Sequence, residues 1–393
     1  MSVTESSAIG AAGSPSPELS STLGLLRRWL VDTAYPLWAD QGVDWVHGGF
    51  HELLGREGPI LGEPRRARVQ VRQIYAFARA PAFGWQGDAA NLVIQGWDYF
   101  FKCYQRPDGL FRTLVAFDGK ALDDRAWLYD QAFVLLAMAA SRKILGPTSR
   151  LDAAAAALLT RMIERLKGTG PGFLSGVPDA LPLQSNPHMH LLEAALEWMD
   201  ISHELTWSTM AADILRLALE HMIDSGTGAV FERFDAQWRT LVTRTDRLVE
   251  PGHQFEWAWL LLRASGLCRD NAIQVATRLV DLGERHGIRH GVAINALRDD
   301  LTPYDRQARL WPQTERLKAA LAMMKVSPQE PRYCSMATDA ALSVLRFLDT
   351  DLPGLWYDLL KADGEFLNQA SPASTFYHIV SAAGEAAASS SER

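Results

Sequence analysis

"EPGHQFEWAWLLLRA", residues 250–264, is the stretch whose reading decides the fold. Pro251 and Gly252 open it, and from Phe255 onward it is apolar on nearly every side. A helix of that kind is buried all round, not along one stripe. "QAFVLLAMAA" (131–140) reads the same way, whereas "STLGLLRRWLVD" (21–32) carries charge on one face. The chain therefore holds two kinds of helix, buried and surface-lying. Glu256, Trp257 and Leu260 follow His253 at offsets that share one helix face, so a histidine and a glutamate lie on a buried apolar stripe.

Working outward, periodicity, caps and breakers predict twelve helices, near 17–38, 65–82, 87–105, 125–144, 149–168, 188–201, 205–223, 253–267, 270–286, 307–324, 335–349 and 374–388. Connections after the odd-numbered helices are long and carry strand-like pieces, such as "GGFHELLGREG" (48–58), "DGLFRTLVAFDG" (108–119), "GAVFERFDAQW" (228–238), "GVAINALRDDLTP" (291–303) and "DGEFLN" (363–368). Connections after the even-numbered helices are short, as in "GLCRD" (266–270). The unit helix, strand-like loop, helix recurs with a period of roughly 55 to 70 residues, the mark of a repeat architecture. Closing six such pairs into a ring removes two exposed ends. The expected fold is all-α, an (α/α)6 barrel with the even, apolar helices inside and short hairpin-like loops at one end. One domain over 17–388 then replaces the two that length allows, with a flexible leader over 1–16 and a disordered tail over 389–393.

Composition narrows the partners. The chain has 393 residues, 48% hydrophobic and 22% charged, and a net charge of −7. It can bury a large core without disulfides or metals. The acidic balance argues against nucleic acid and anionic membrane as partners. No apolar run approaches the roughly 18 residues of a membrane span. Cys103, Cys268 and Cys334 are odd in number and far apart, which fits neither a zinc site nor a disulfide framework. A reducing cytoplasm suits them, and the N-terminus lacks the basic-then-apolar pattern of a signal peptide.

In such a barrel the even helices all start at one end, and their first turns are polar. They offer Arg72, then Tyr129 and Asp130, then Asn186, His188, His190 and Glu193, then His253 and Glu256, then Trp311 and Glu315, then His378. Helix N-termini add free N–H groups and partial positive charge, so this mouth suits an anionic or hydroxyl-rich ligand. Each residue taken alone has a plainer reading. His253 reads equally as a satisfied core histidine, Arg72 as a snorkelling side chain, Asp130 as a helix-dipole charge, and Trp311 as packing. His188 and His190 are two apart and cannot share a helix face, which argues against a metal pair.

The segments "HGGF" (47–50), "RVQVRQIYAFA" (68–78), "DGKALDDRAWLYDQAF" (118–133), "NPHMHLLEAALE" (186–197), "PGHQFEWAWLL" (251–261), "LWPQTE" (310–315) and "FYHIV" (376–380) together resemble the N-acylglucosamine 2-epimerase superfamily, which includes sugar 2-epimerases and mannose isomerases. The wording of "PGHQFEWAWLL" and "PASTFYH" is similar to the mannose isomerases. One departure is "DGLFRT" where many relatives carry "GGWY", which raises Arg112 as a contact for an anionic group. The resemblance implies metal-independent and cofactor-free sugar chemistry, with His253 and His378 as the catalytic pair. It places Arg72, Asn186, His190, Glu193, Glu256 and Trp311 around the substrate, and the fourth helix adds Tyr129.

Both reactions of that family begin by removing a C–H proton beside a carbonyl, a task for histidine near neutral pH. Glu256, at i+3, is expected to orient His253, and Arg72 to stabilise the developing oxyanion. The expected activity is D-mannose to D-fructose isomerisation through a cis-enediolate on a free monosaccharide, by a monomer or homodimer. A 2-epimerase of an N-acylhexosamine or of cellobiose is the alternative. An inverting glycosidase would need two opposed carboxylates, for which Asp130, Glu193, Glu256 and Glu315 are available. A non-catalytic sugar binder would have no use for two histidines.

Overall fold

Among the described residues, twelve helices, alternating in burial, make up the frame. The computed structural model describes residues 15–391 apart from 148, 179, 244–246 and 268–270. α1 (Pro17–Trp29) runs through a π turn (Leu30–Ala34) into Tyr35–Gln41. It is followed by α2 (Ala67–Phe83), α3 (Ala89–Tyr104), α4 (Leu128–Leu145), α5 (Ser149–Leu166) and α6 (Ser185–Met199). Then come α7 (Leu205–Leu217, with a π turn at Ala218–Met222), α8 (Pro251–Arg263) and α9 (Ala272–Leu282, with a π turn at Gly283–Gly287). α10 (Leu310–Val326), α11 (Pro331–Leu348) and α12 (Ala373–Ser391) complete the chain. Of the leader expected over 1–16, residues 1–14 lie outside the described residues, and Ser16 caps α1 by accepting the Leu19 N–H at 3.0 Å. The last helix continues past the expected boundary at 388.

The ring closes. α2 packs on α4, α4 on α6, α6 on α8, α8 on α10, α10 on α12, and α12 back on α2. Around these lie α3, α5, α7, α9 and α11, each against the inner helix that precedes it, while α1 covers α11 and α12. The inner helices are buried almost without a break, as over Pro251–Leu262 of α8. The outer ones bury one stripe, as α9 does with Ala272, Val275, Ala276, Leu279, Val280 and Leu282. Burial of that apolar surface is the main stabilising term. The pattern that separated buried from surface helices in the sequence is the pattern of the two rings.

The six long connections form a second ring at one end. The first pairs with the second through Arg65–Arg66 and Leu114–Val115, and the second with the third through Ala126–Trp127 and Gly176–Val177. Leu183–Gln184 joins Arg233–Phe234, Val249 bridges Leu297, and Ala308–Arg309 joins Leu359–Leu360. Leu53–Leu54 against Ser371–Pro372 ties the sixth back to the first.

Each connection is also clamped to the inner helix that follows it. The fourth residue of five inner helices reaches back to the main chain of the loop: Gln70 to Phe50, Gln131 to Phe111, His188 to Phe173, Gln254 to Val230 and Gln313 to Ala293. Every glutamine accepts the loop N–H and donates to the same residue's carbonyl. In the sixth repeat Ser371 makes both bonds to Trp356. A glycine at positive φ precedes each clamped residue by one or two positions. At Gly172 the need is plain: φ is +74°, and a Cβ would sit 2.6 Å from Leu217 and 2.8 Å from His188. These bonds satisfy backbone groups that the loops would otherwise bury unpaired.

Candidate active site

The same periodicity builds a cavity at the loop end of the inner ring. Residues two and six of a helix are one turn apart on one face. The second residues of α2, α4, α6, α10 and α12 are Arg68, Tyr129, Asn186, Trp311 and Ser374, and all line the cavity. The sixth residues of the six inner helices are Arg72, Phe133, His190, Glu256, Glu315 and His378. Of these, Arg72, His190, Glu256 and His378 line the cavity, while Phe133 packs on Arg72 and His190 and Glu315 holds His378. The cavity is about 430 Å³ in volume, and its lining also includes Arg66, Glu250, His253, Arg309, Asp358 and Thr375. Of the residues expected from sequence, His253, His378, Arg72, Asn186, His190, Glu256, Trp311 and Tyr129 all face it. Glu193 lies beneath, where it accepts from His190 Nδ1 at 3.2 Å and from the Tyr377 hydroxyl.

The two expected catalytic histidines flank Trp311, with ring centroids 4.9 Å (His253) and 5.6 Å (His378) from the indole. Each has its Nδ1 held by a glutamate at 2.8 Å: His253 by Glu232, His378 by Glu315. A carboxylate accepts, so each Nδ1 carries the proton and each Nε2 is left for the cavity. The expectation that Glu256 orients His253 is overturned. Glu232, on the long loop before α8, takes that place, and Ser185 Oγ steadies its other oxygen at 2.9 Å. Glu256 sits one helical turn deeper than His253, with its Oε1 3.8 Å from His190 Nδ1.

The surroundings set the two histidines in opposite states. Burial opposes the charged form of His253, but the carboxylates of Glu232, Glu250 and Glu256 outweigh it and raise its pKa well above the ordinary value. Burial lowers the pKa of His378 well below that value, and the cations Arg72 and Lys318 reinforce it. The surroundings thus favour the imidazolium form of His253 and the neutral form of His378. His190 is held neutral too, chiefly by burial, with a pKa of about 4. Burial, then the neighbouring Glu315, pushes the Glu256 carboxyl well up. Arg72 donates to the Tyr129 hydroxyl at 2.7 Å and to the Ser374 carbonyl at 3.3 Å, and its guanidinium lies 4.1 Å from the Phe133 ring centroid.

Several polar atoms of the cavity are buried with no hydrogen-bond partner among the described residues: Asn186 Oδ1, Arg72 Nε and both oxygens of Glu256. Groups in that state call for a ligand, and their mixture of donors and acceptors suits hydroxyls. Three clusters combine a histidine with carboxylates closely enough to suggest a metal: His190, Glu193 and Glu256; Glu232, Glu250 and His253; and Glu256, Glu315 and His378. In each of them the histidine gives its Nδ1 to a carboxylate, and the Lys318 ammonium, 2.7 Å from Glu315 Oε2, lies beside the third. Arg112, raised by the departure in the second loop, pairs with Asp124 at 2.7 Å and does not line the cavity.

The sequence profile of the N-acylglucosamine 2-epimerase (GlcNAc 2-epimerase) family matches residues 48–382. The chain belongs to the N-acylglucosamine 2-epimerase family. Among its relatives, a mannose-6-phosphate isomerase of Rhizobium meliloti (strain 1021) is 42% identical over 91% of this chain and 95% of its own. A D-mannose isomerase of Thermobifida fusca is 27% identical over 62% of this chain and 65% of its own. A solved D-mannose isomerase has the same fold, with a TM-score of 0.85 at 20% identity over 94% of this chain and 98% of that one. This member of the N-acylglucosamine 2-epimerase family is a sugar isomerase or epimerase. Among its described residues, no helix is long and apolar enough to cross a membrane.

Sequence reasoning had not singled out Glu232, Glu250, Arg66, Arg68, Arg309 or Asp358. Glu315 is read from the sequence as a first-turn group beside Trp311 and as an available carboxylate, but not as the partner of His378. The spacing of four between cavity-facing residues would have found Arg68 from Arg72. Glu232 carries no local signal, because its partner lies 21 residues on.

Proposed function

We propose that the protein is an aldose–ketose isomerase that interconverts D-mannose and D-fructose without a metal. What supports this reading is a pair of histidines in one cavity, each fixed at Nδ1 by a glutamate at 2.8 Å, in surroundings that raise the pKa of His253 and lower that of His378. Opposed settings of this kind assign an acid and a base. His378 Nε2 takes the C2 proton of the open-chain sugar as His253 gives its Nε2 proton to the carbonyl oxygen O1. The enediol then returns its O2 proton to His253, and His378 delivers its proton to C1, which leaves the ketose and both histidines as they began. Arg72, with its Tyr129 partner, is placed to stabilise negative charge developing on the sugar oxygens. Asn186, Glu256 and His190 Nε2 meet the remaining hydroxyls. Delivery of a proton by His253 to the opposite face of C2 would give the epimer from the same pair. The isomerase reading is favoured by the 42% identity to a relative named as an isomerase.

A second reading concerns the substituent at the far end of the sugar. Arg66 is engaged by Glu52 and Arg68 by Asp130, whereas Arg309 makes no ion pair with a described residue and lines the mouth. A 6-phosphate, as in the name of the Rhizobium meliloti relative, would meet Arg309.

The test is incubation with mannose, mannose 6-phosphate, N-acetylglucosamine and cellobiose in deuterium oxide with EDTA. Fructose from mannose is the expected product. Preference for the phosphate ester, lost in Arg309→Ala, would select the second reading. A C2 epimer carrying deuterium at C2, or loss of activity in EDTA, would overturn the first.

A further inference from the structure

Lys318 lies on α10, three residues after Glu315, at 0% exposure, and does not line the cavity. Its Nζ is 2.7 Å from Glu315 Oε2 and 3.6 Å from the Trp259 ring centroid. The other Glu315 oxygen, Oε1, holds His378 Nδ1 at 2.8 Å. Lys318, Glu315 and His378 therefore form a line of two contacts from the core to the cavity. Burying an ammonium is costly unless it is paired, and here three carboxylates, Glu315, Glu193 and Glu256, act on it.

We propose that Lys318 is a positioning residue for the reaction: its contact with Glu315 Oε2 keeps Glu315 Oε1 on His378 Nδ1, which fixes the Nδ1–H tautomer of His378 and leaves Nε2 free as the base. The inference rests on the reading of His378 as that base. With Glu315 Oε1 off Nδ1, the imidazole could carry its proton on Nε2 and show the cavity a donor where an acceptor is needed. The Lys318 charge also disfavours a second proton on His378, after burial and Arg72. The charged and titratable groups facing His378 are Arg72 from α2, His190 and Glu193 from α6, His253 and Glu256 from α8, Glu315 and Lys318 from α10, and Tyr377 on its own helix.

The test uses Lys318→Met, which keeps length and removes charge, in the full chain. In the wild type, nitrogen-15 NMR of labelled histidines should show His378 neutral with its proton on Nδ1 at pH 7. In Lys318→Met the tautomer should be lost or the acid transition should rise by about one pH unit or more. On mannose, kcat should fall about tenfold or more with KM changed less than about threefold, and the acid limb of kcat/KM should move up. Lys318→Arg, which restores the charge, should bring that limb back. A folded Lys318→Met protein with wild-type tautomer and acid limb would overturn the proposal. The NMR result does not depend on turnover, so it stands even if mannose is not the substrate. If Lys318→Met fails to fold, the double variant E315Q/K318M removes both charges together. Acting through Glu315, Lys318 predicts a double variant no slower than E315Q alone; a further tenfold loss would refute it.

Discussion

His188→Gln is expected to fold and to resist acid better than the wild type. His188 occupies the place that glutamine holds at the fourth position of four other inner helices. Its Nε2 accepts the Phe173 N–H at 2.8 Å, and its Nδ1 donates to the Gln184 carbonyl at 2.8 Å. Gln131, Gln254 and Gln313 make the same bond to the carbonyl four residues back, so the amide fits both partners. Unlike the amide, the imidazole can take a proton, and doing so destroys its acceptor. Burial lowers the His188 pKa from 6.5 to about 4. The unfolded chain therefore binds this proton below about pH 6.5 and the folded chain only near pH 4. The stability contribution is complete above the first value and is lost as pH falls toward the second. At pH 5 the loss is about 2 kcal/mol, rising to about 3 kcal/mol below pH 4. For a chain of this length 2 kcal/mol corresponds to about 2–3 °C in Tm. Thermal melts of both proteins at pH 8 and pH 5 give the answer, since the other titrating groups are shared. The drop in Tm between the two pH values should be smaller in the variant by that amount. Equal drops would show that His188 is not a neutral buried acceptor, and a Tm lower at pH 8 by many degrees would show that the clamp positions are not interchangeable.

Glu232→Gln removes the charge that holds the His253 proton. A charge-assisted bond is worth about 1.5–3 kcal/mol, so the pKa of His253 should fall by about one to two units, toward the lower end because Glu250 remains 3.7 Å away. The alkaline limb of kcat/KM follows the loss of that proton and should move down in pH; an unmoved limb would remove His253 as the acid. His253→Ala and His378→Ala should each reduce turnover on mannose by about two orders of magnitude or more with circular dichroism unchanged, and full activity in either would cancel its assignment. Gln313→Leu strands the N–H and carbonyl of Ala293 in the core, and urea unfolding should show a loss of about 2–5 kcal/mol. A loss under about 1 kcal/mol would mean that other partners take up both groups.

Much of the barrel was legible because its signals are local. The apolar runs at 131–140 and 255–264, the charged face at 21–32, and the alternation of long and short connections each depend on a few neighbouring residues. They yielded twelve helices and their assignment to two rings, and the shared start of the even helices brought eight of the nine expected site residues to one cavity. The glycine turn and the fourth-position glutamine were also in the sequence, repeated at Gln70, Gln131, Gln254 and Gln313, but they lie about twenty residues apart and read as a device only once paired. The error over Glu256 has the same origin. Helical spacing put it on the face of His253 without saying how far along the axis its carboxyl reaches, and Glu232, from a loop with no periodicity, arrived closer.

Residue type, periodicity and turn chemistry, which act within a window of a turn or two, determined the elements, their order and the chemistry available at the mouth. The tertiary structure alone decided in which direction the pKa of each histidine moves. That depends on desolvation and on the distances to Glu232, Glu315, Arg72 and Lys318, side chains from separate segments that only ring closure brings together. Two histidines with the same intrinsic pKa are thus pushed in opposite directions, His253 up by carboxylates that outweigh its burial and His378 down by burial, reinforced by Arg72 and Lys318.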